Sequence, residues 1–463
     1  MKYIAYYIAF LWLTVVLLSL LHAAEDNMTA YAFVSQRQVN HIDHVNIRLE
    51  ANGDVLTKSD SSEKPERLEV GLTCRRDYDE KTLEMPGPTE KTLRAIRFYH
   101  EADATLKKGT SAQNPTLRPE NRLVGVEIVG GKATLFSPAG PVDVDGLELV
   151  TTLGESLCLD QLLPGKPVKI GDSWKISADT ATLLLALDKV TSNSLQMALS
   201  EVTPEYARFE LTGQVEGKTF GAGNQISLKG KCRFDRRLGR IDWFAMRLKQ
   251  GRDIGVVEDG LDWTVLVQVK VNRLETSERL SDAALADLPL KPTDDLTLVR
   301  YLLSGSGCQL MHDRSWFLTD RSRDYDLLHR LDHGQDIGLC KISAQPRISV
   351  SKLPSLEQFQ ALVQKLLGGN LGEFLELSQA ESPAHLRILR VKAKGTDNEV
   401  PVRWFYYLVS DPDGRQVTFA FRVPEKSLGS FGRADEPLVH SLRFMEKKEK
   451  DPSHGSKEPE SRQ

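Results

Sequence analysis

Between residues 44 and 275 apolar and polar side chains alternate with a period of two. That pattern commits about half of the chain to antiparallel strands with one buried face. In the clearest run Ile226, Leu228, Gly230, Cys232 and Phe234 interleave with Ser227, Lys229, Lys231, Arg233 and Asp235. A second, from Leu261 to Val271, sets Trp263, Val265, Val267 and Val269 against Asp262, Thr264, Gln268 and Lys270. It is longer than an ordinary strand of about five or six residues, so a large curved sheet is expected, with a half-barrel as one form of it. Asn52-Gly53, Gly130-Gly131 and Leu238-Gly239-Arg240 supply residues that tolerate positive φ and read as hairpin turns. Within this region Asp179–Leu187 breaks the alternation. Leu183, Leu184 and Leu187 follow Ser177 and Asp179 at helical spacing, which predicts a short helix lying on one face of the sheet.

The alternation stops at residues 276–296, which read as a linker with one helical turn. Residues 25–275 are thus expected to form one β-rich domain and residues 297–446 a second domain of a different kind. In the second, Ser355 and Gln358 form a capping box, and Leu356, Phe359, Val363 and Leu366 recur at helical spacing up to Gly368-Gly369. Strands surround that helix, two of them joined by the turn Asp411-Pro412-Asp413-Gly414. The fold class expected for the chain is therefore mostly β plus α+β: a large curved antiparallel sheet followed by an antiparallel sheet with packed helices. Residues 447–463 hold no aromatic or aliphatic side chain and read as a solvated, disordered tail.

Sixty Lys and Arg against 64 Asp and Glu leave a formal net charge of −4, so the chain as a whole offers nothing to a phosphate backbone. Nucleic-acid binding is not expected. At the N-terminus Lys2 precedes the apolar run Ile4–Leu21, and His22-Ala23-Ala24-Glu25 supplies a small-residue cleavage zone. This is the pattern of a signal peptide over residues 1–24, placing the protein in the periplasm or outside the cell. The run is also just long enough to span a bilayer, so an uncleaved anchor over residues 4–21 is the alternative, and the only membrane contact foreseen.

Five cysteines, Cys74, Cys158, Cys232, Cys308 and Cys340, are too few and too odd in number for a disulfide scaffold. No CxxC pair occurs. Cys308–Cys340 is the candidate disulfide, since both belong to the second domain; two buried thiols on neighbouring strands are the alternative. His41 and His44 form an H-x-x-H, but along a strand that spacing points the two imidazoles to opposite faces, and a zinc site needs three or four ligands. Pro141–Gly146 resembles a calcium loop that lacks two essential oxygen ligands, and no G-x-S-x-G is present. No catalytic residue, metal or cofactor is therefore expected. Phe234, Trp243 and Trp263 are the candidate ligand-binding residues, as aromatics that either fill the core or line an apolar cavity between sheet and helix.

Residues 297–446 resemble the PsbP-like α+β family. The likeness lies in the order of early strands around Trp316, the hairpin Leu327–Ile337, the helix Leu356–Leu367, the stretch Trp404–Arg415 and the closing Leu438–Phe444. It implies a binding or assembly module outside the cytoplasm. Residues 25–275 resemble secreted proteins abundant in planctomycete bacteria, through Leu93–Tyr99, Leu162–Trp174 and the long strands ending near Arg273. In architecture they are loosely similar to the half-barrel of lipoprotein carriers such as LolA. The function expected is an exported, non-enzymatic binding or assembly protein with a protein partner; a carrier of a lipid or other apolar molecule is the alternative, and a secreted hydrolase a second one.

Overall fold

In the computed structural model, which describes residues 29–58, 64–87, 91–151, 153–303 and 307–445, the alternating region forms one thirteen-stranded sheet. Its main strands are β1 (Ile42–Thr57), β2 (Glu66–Glu84), β3 (Leu93–Lys108), β4 (Leu123–Val129), β5 (Lys132–Phe136), β6 (Ser173–Lys175), β7 (Gln196–Val202), β8 (Tyr206–Thr219), β9 (Ala222–Asp235), β10 (Arg240–Arg252) and β11 (Gly260–Leu274). They lie in the order β5-β4-β3-β2-β1-β11-β10-β9-β8-β7-β6, all antiparallel. The period of two sets the register: Val45, Ile47, Leu49 and Ala51 stand opposite Val271, Val269, Val267 and Val265, and all eight are buried.

Short helices sit beside this sheet, among them α1 (Val144–Val150) and α2 (Ala178–Leu184). Asp143 caps α1 by accepting from the Gly146 N–H at 2.8 Å, and Ser177 caps α2 through Thr180. Helix α2 touches both β5 and the short strand Lys189–Asn193, which pairs with β8. In a flat sheet those two strands would be nine spacings, roughly 43 Å, apart. A seven-residue helix is only about 10 Å long, so the sheet curls around it. The two ends of the strand order stay unpaired with each other, and the sheet is open, not a closed barrel.

One expected hairpin is absent. Strand β1 runs straight through Asn52-Gly53, which pair with Gly71 and Val70 of β2 and with Thr264 and Trp263 of β11. A Cβ on Gly53 would stand 2.5 Å from the Trp263 Cα, so glycine serves close packing of two strands here and not a turn. Gly130 and Gly131 do form a tight turn between β4 and β5, with φ of 56° and 76°.

The chain divides into two units, Met1–Val299 with His333–Gln335, and the remainder from Arg300. Residues 276–296, read from sequence as a linker, pack on the first unit: Leu280 and Leu285 are buried with Ile96, and the Lys81 ammonium donates to the Leu280 carbonyl at 3.2 Å. The second unit holds α3 (Leu356–Leu367) and the strands β12 (Cys308–His312), β13 (Trp316–Arg321), β14 (Asp326–Asp332), β15 (Gln335–Gln345), β16 (Leu371–Glu381), β17 (Arg387–Asp397), β18 (Val400–Ser410), β19 (Gln416–Pro424) and β20 (Arg443–Phe444). Seven of these strands form a sheet in the order β13-β14-β15-β19-β18-β17-β16. Helix α3 begins with both halves of the Ser355/Gln358 capping box and buries Phe359, Val363 and Leu367 against Leu389, Val391, Ala393 and Trp404. The molecule is thus mostly β, with large antiparallel sheets and few helices. Residues 1–24 and 447–463, read as export signal and tail, lie outside the described residues.

Candidate functional site

Period-two strands carry a second set of side chains on the face away from the core, and on β1, β2 and β3 that set is rich in titratable groups. Asp79 of β2 stands opposite His44 of β1, and Asp77 stands opposite Asn46. On β3 the register slips between Asp77 and Tyr78: Asp77 pairs with Glu101 but Tyr78 pairs with Tyr99, leaving His100 as the extra residue of a β-bulge. At the bulge the His100 imidazole lies against Asp79.

The result is a compact cluster. His44 Nδ1 lies 3.1 Å and His100 Nε2 3.2 Å from the same carboxylate oxygen, Asp79 Oδ1. The second oxygen, Oδ2, accepts from the Ser277 hydroxyl at 2.7 Å. His44 Nε2 is 3.4 Å from Asp77 Oδ2, which also accepts from the Asn46 amide at 3.1 Å. The Asp79 side chain is 10% exposed while His44 and His100 are 31% and 43% exposed, so the carboxylate is the floor of the cluster and the imidazoles its open rim. Burial pushes the Asp79 carboxyl up, but hydrogen bonds from Ser277, His44 and His100 outweigh it and hold the group below its ordinary range. The Phe98 and His100 rings meet edge to face with centroids 5.4 Å apart.

Beside His100 a cleft of about 810 Å³ runs along β3, lined by Asp77, Glu101, Asp103, Thr105, Asn114 and Arg122 among others. Three carboxylates and one guanidinium give it an acidic wall. Asp103 Oδ2 is buried beside the cleft with no hydrogen-bond partner, a costly state.

The inner face of the same three strands carries charge of another kind. Arg37 bonds Glu80 at 3.2 Å and Asp160 at 3.0 Å, Arg97 bonds Glu80 at 2.8 Å and also Glu155, and Arg240 pairs with Asp43. Ser156 donates to Glu80 at 2.9 Å and shares a bond with the Tyr78 hydroxyl. Desolvation opposes the Glu80 charge, yet Arg97 and Arg37 hold its carboxyl below the ordinary value. The network pins the Ser156–Leu162 turn to the sheet, while Asp43 Oδ2, Asp160 Oδ1 and Arg240 Nε are buried in it without hydrogen-bond partners.

The residues singled out from sequence are not brought together. Phe234 is buried edge-on to Phe33 at 5.5 Å, Trp243 lies on the opposite face across from Arg233 and Lys270, and Trp263 donates its indole N–H to Gln250 at 2.9 Å above Gly53. Cys308 and Cys340 are buried thiols with no disulfide between them: β12 pairs with β20 outside the seven-stranded sheet, whereas Cys340 of β15 lies within it opposite Phe421. Burial pushes the Cys74, Cys158, Cys232 and Cys340 thiols up, away from nucleophilic character. His41 does not join His44; its Nδ1 accepts from the Gln38 backbone at 3.2 Å. His44 finds its neighbours across strands, a relation that spacing along one strand does not reveal.

No family model matches the chain, and no curated protein matches it. Solved structures resemble parts of it. Cyanobacterial PsbP from Synechocystis sp. PCC 6803 is 12% identical over 32% of this chain and 92% of that one, with a TM-score of 0.27. The Saccharomyces cerevisiae Ran-binding protein Mog1p is 11% identical over 32% and 95%, with a TM-score of 0.25. Lipovitellin is 8% identical over 53% of this chain and 26% of that one, with a TM-score of 0.30. None of these likenesses transfers a residue or an activity.

Proposed function

We propose that the chain is an exported, non-enzymatic binding protein of the periplasm or cell envelope, and that the acidic cleft along β3 is where its first unit binds a positively charged partner group. The observation that carries this reading is the wall of Asp77, Glu101 and Asp103 along a cleft of about 810 Å³. A cationic group would find three carboxylates, opposed by Arg122 in the lining and by Arg75 across from Asp103. Binding and not catalysis is favoured by the cluster beside it, where the Ser277 hydroxyl donates to Asp79 and not to an imidazole, so no serine is activated there. The alternative of an apolar carrier is weakened because the chain's own Leu183 and Leu184 of α2, with Leu157, Leu159 and Leu162, take the buried positions a lipid would need. The PsbP-like resemblance of residues 297–446 and the resemblance of residues 25–275 to secreted planctomycete proteins add an envelope location and an assembly role for the second unit.

Native mass spectrometry of the protein purified at low salt from an exporting host tests this. The expected result is a bound partner or small cation that salt releases and that Glu101→Gln with Asp103→Asn abolishes. A lipid-sized adduct held equally by protein and variant, or a bare mass at low salt, overturns the reading.

A further inference from the structure

We propose that His44, Asp79 and His100, with Asp77 beside them, form a binding site for a divalent transition-metal ion of the zinc class. The proposal goes beyond the cleft reading: the cluster lies on the same face at the His100 end, and its ion does not depend on Glu101 or Asp103. One ligand atom from each of His44, Asp79 and His100 lies within 4.8 Å of the other two. The spacings of 3.1 and 3.2 Å between the imidazole nitrogens and Asp79 Oδ1 match the edges of a coordination shell: ligands about 2.0–2.1 Å from zinc in a tetrahedron stand roughly 3.3 Å apart. Asp77 Oδ2, 3.4 Å from His44 Nε2, lies on the far side of that ring from Asp79 and orients it as an outer-shell carboxylate does in metal sites. Two imidazoles with carboxylate oxygens suit zinc and its neighbours and not calcium or magnesium, which take oxygen ligands almost alone.

Three features distinguish the cluster from a chance meeting of polar surface groups. Its ligands come from three adjacent strands of one sheet, so the backbone holds their separation without a flexible loop. The β3 ladder is broken by a bulge at His100, the residue whose imidazole meets Asp79. Each carboxylate is braced from behind, Asp79 by the Ser277 hydroxyl and Asp77 by the Asn46 amide, the outer-shell arrangement that orients ligands in metal sites. The half-exposed imidazoles leave an entry path.

The test is a titration of the chelator-stripped full-length protein with zinc sulfate alone, followed by calorimetry and native mass spectrometry, with cobalt(II) as a spectroscopic probe. One zinc per chain is expected, with cobalt giving visible bands of tetrahedral intensity. His100→Gln should weaken zinc binding by at least about 100-fold, and Ser277→Ala, which touches no ligand atom of the ion, by about 10- to 100-fold. Circular dichroism of each variant identifies any loss of fold, and the exposed His100 position keeps at least one variant interpretable. Zinc bound with equal affinity by wild type and His100→Gln, or no stoichiometric zinc at all, overturns the proposal and leaves a hydrogen-bonded His–Asp–His triad only. The Glu101→Gln, Asp103→Asn protein separates the two readings: retained zinc binding there supports the metal site whether or not that protein has lost its cleft partner.

Discussion

At the residue scale the two faces of β1–β3 show the same residue types put to opposite uses. On the inner face Glu80 is fully buried between Arg37 and Arg97. Its charge costs desolvation, and removing it would leave two buried guanidinium groups facing each other. Glu80→Ala should therefore destabilise the first unit by about 3–5 kcal/mol, read by chemical denaturation; a loss below 1 kcal/mol would mean that water or Glu155 compensates. The same group sets an acid limit. Its folded carboxyl titrates below the ordinary value of 4.5 because of Arg97 and Arg37, so its stabilising contribution is complete above about pH 4.5 and is lost as pH falls through the lower folded value. Stability of the first unit should fall steeply below pH 4.5, and Glu80→Gln should flatten that fall. On the outer face Asp79 is served by His44, His100 and Ser277, and none of this was legible in the sequence. The four residues lie far apart along the chain, and their meeting depends on strand register and on one bulge, neither of which the composition of a single strand encodes. The H-x-x-H of His41 and His44 drew attention to the right residue for a local reason that the structure does not use.

At the element scale the sequence was most informative where a local rule acts alone. The period of two delivered the long strands, because a strand with one buried face leaves no other assignment for Ile226–Asp235 or Leu261–Val271. The capping box delivered α3 to the residue, since Ser355 and Gln358 satisfy each other's backbone donors irrespective of what packs nearby. Ser355→Ala should cost about 1 kcal/mol, seen as a lower denaturation midpoint for the second unit with an unchanged slope; no change would show that α3 is held by its packing against Trp404 and Val391 alone. Asn52-Gly53 failed for the complementary reason. A glycine that permits a turn also permits close approach, and the choice was made by Trp263, more than 200 residues later, whose backbone occupies the space a Cβ would need. Gly53→Ala should accordingly destabilise β1 against β11 and not free a strained turn.

At the scale of the whole molecule, each of the two units carries core residues of its own. Leu184 of α2 is fully buried inside the curled sheet, and Phe359 of α3 is buried on the second unit's sheet. Each truncation leaves a cavity that its own surroundings must absorb. Leu184→Ala should cost about 2–5 kcal/mol and Phe359→Ala about 3–5 kcal/mol. If cooperativity follows the cores, differential scanning calorimetry of the full chain shows two transitions, Leu184→Ala lowering one and Phe359→Ala the other. The acid sensitivity set by Glu80 should then belong to the transition that Leu184→Ala moves, because both residues stabilise the same unit. A single transition shifted by both substitutions would show that the units unfold as one body, so that ligand bound at the β3 cleft would stabilise the second unit as well as the first.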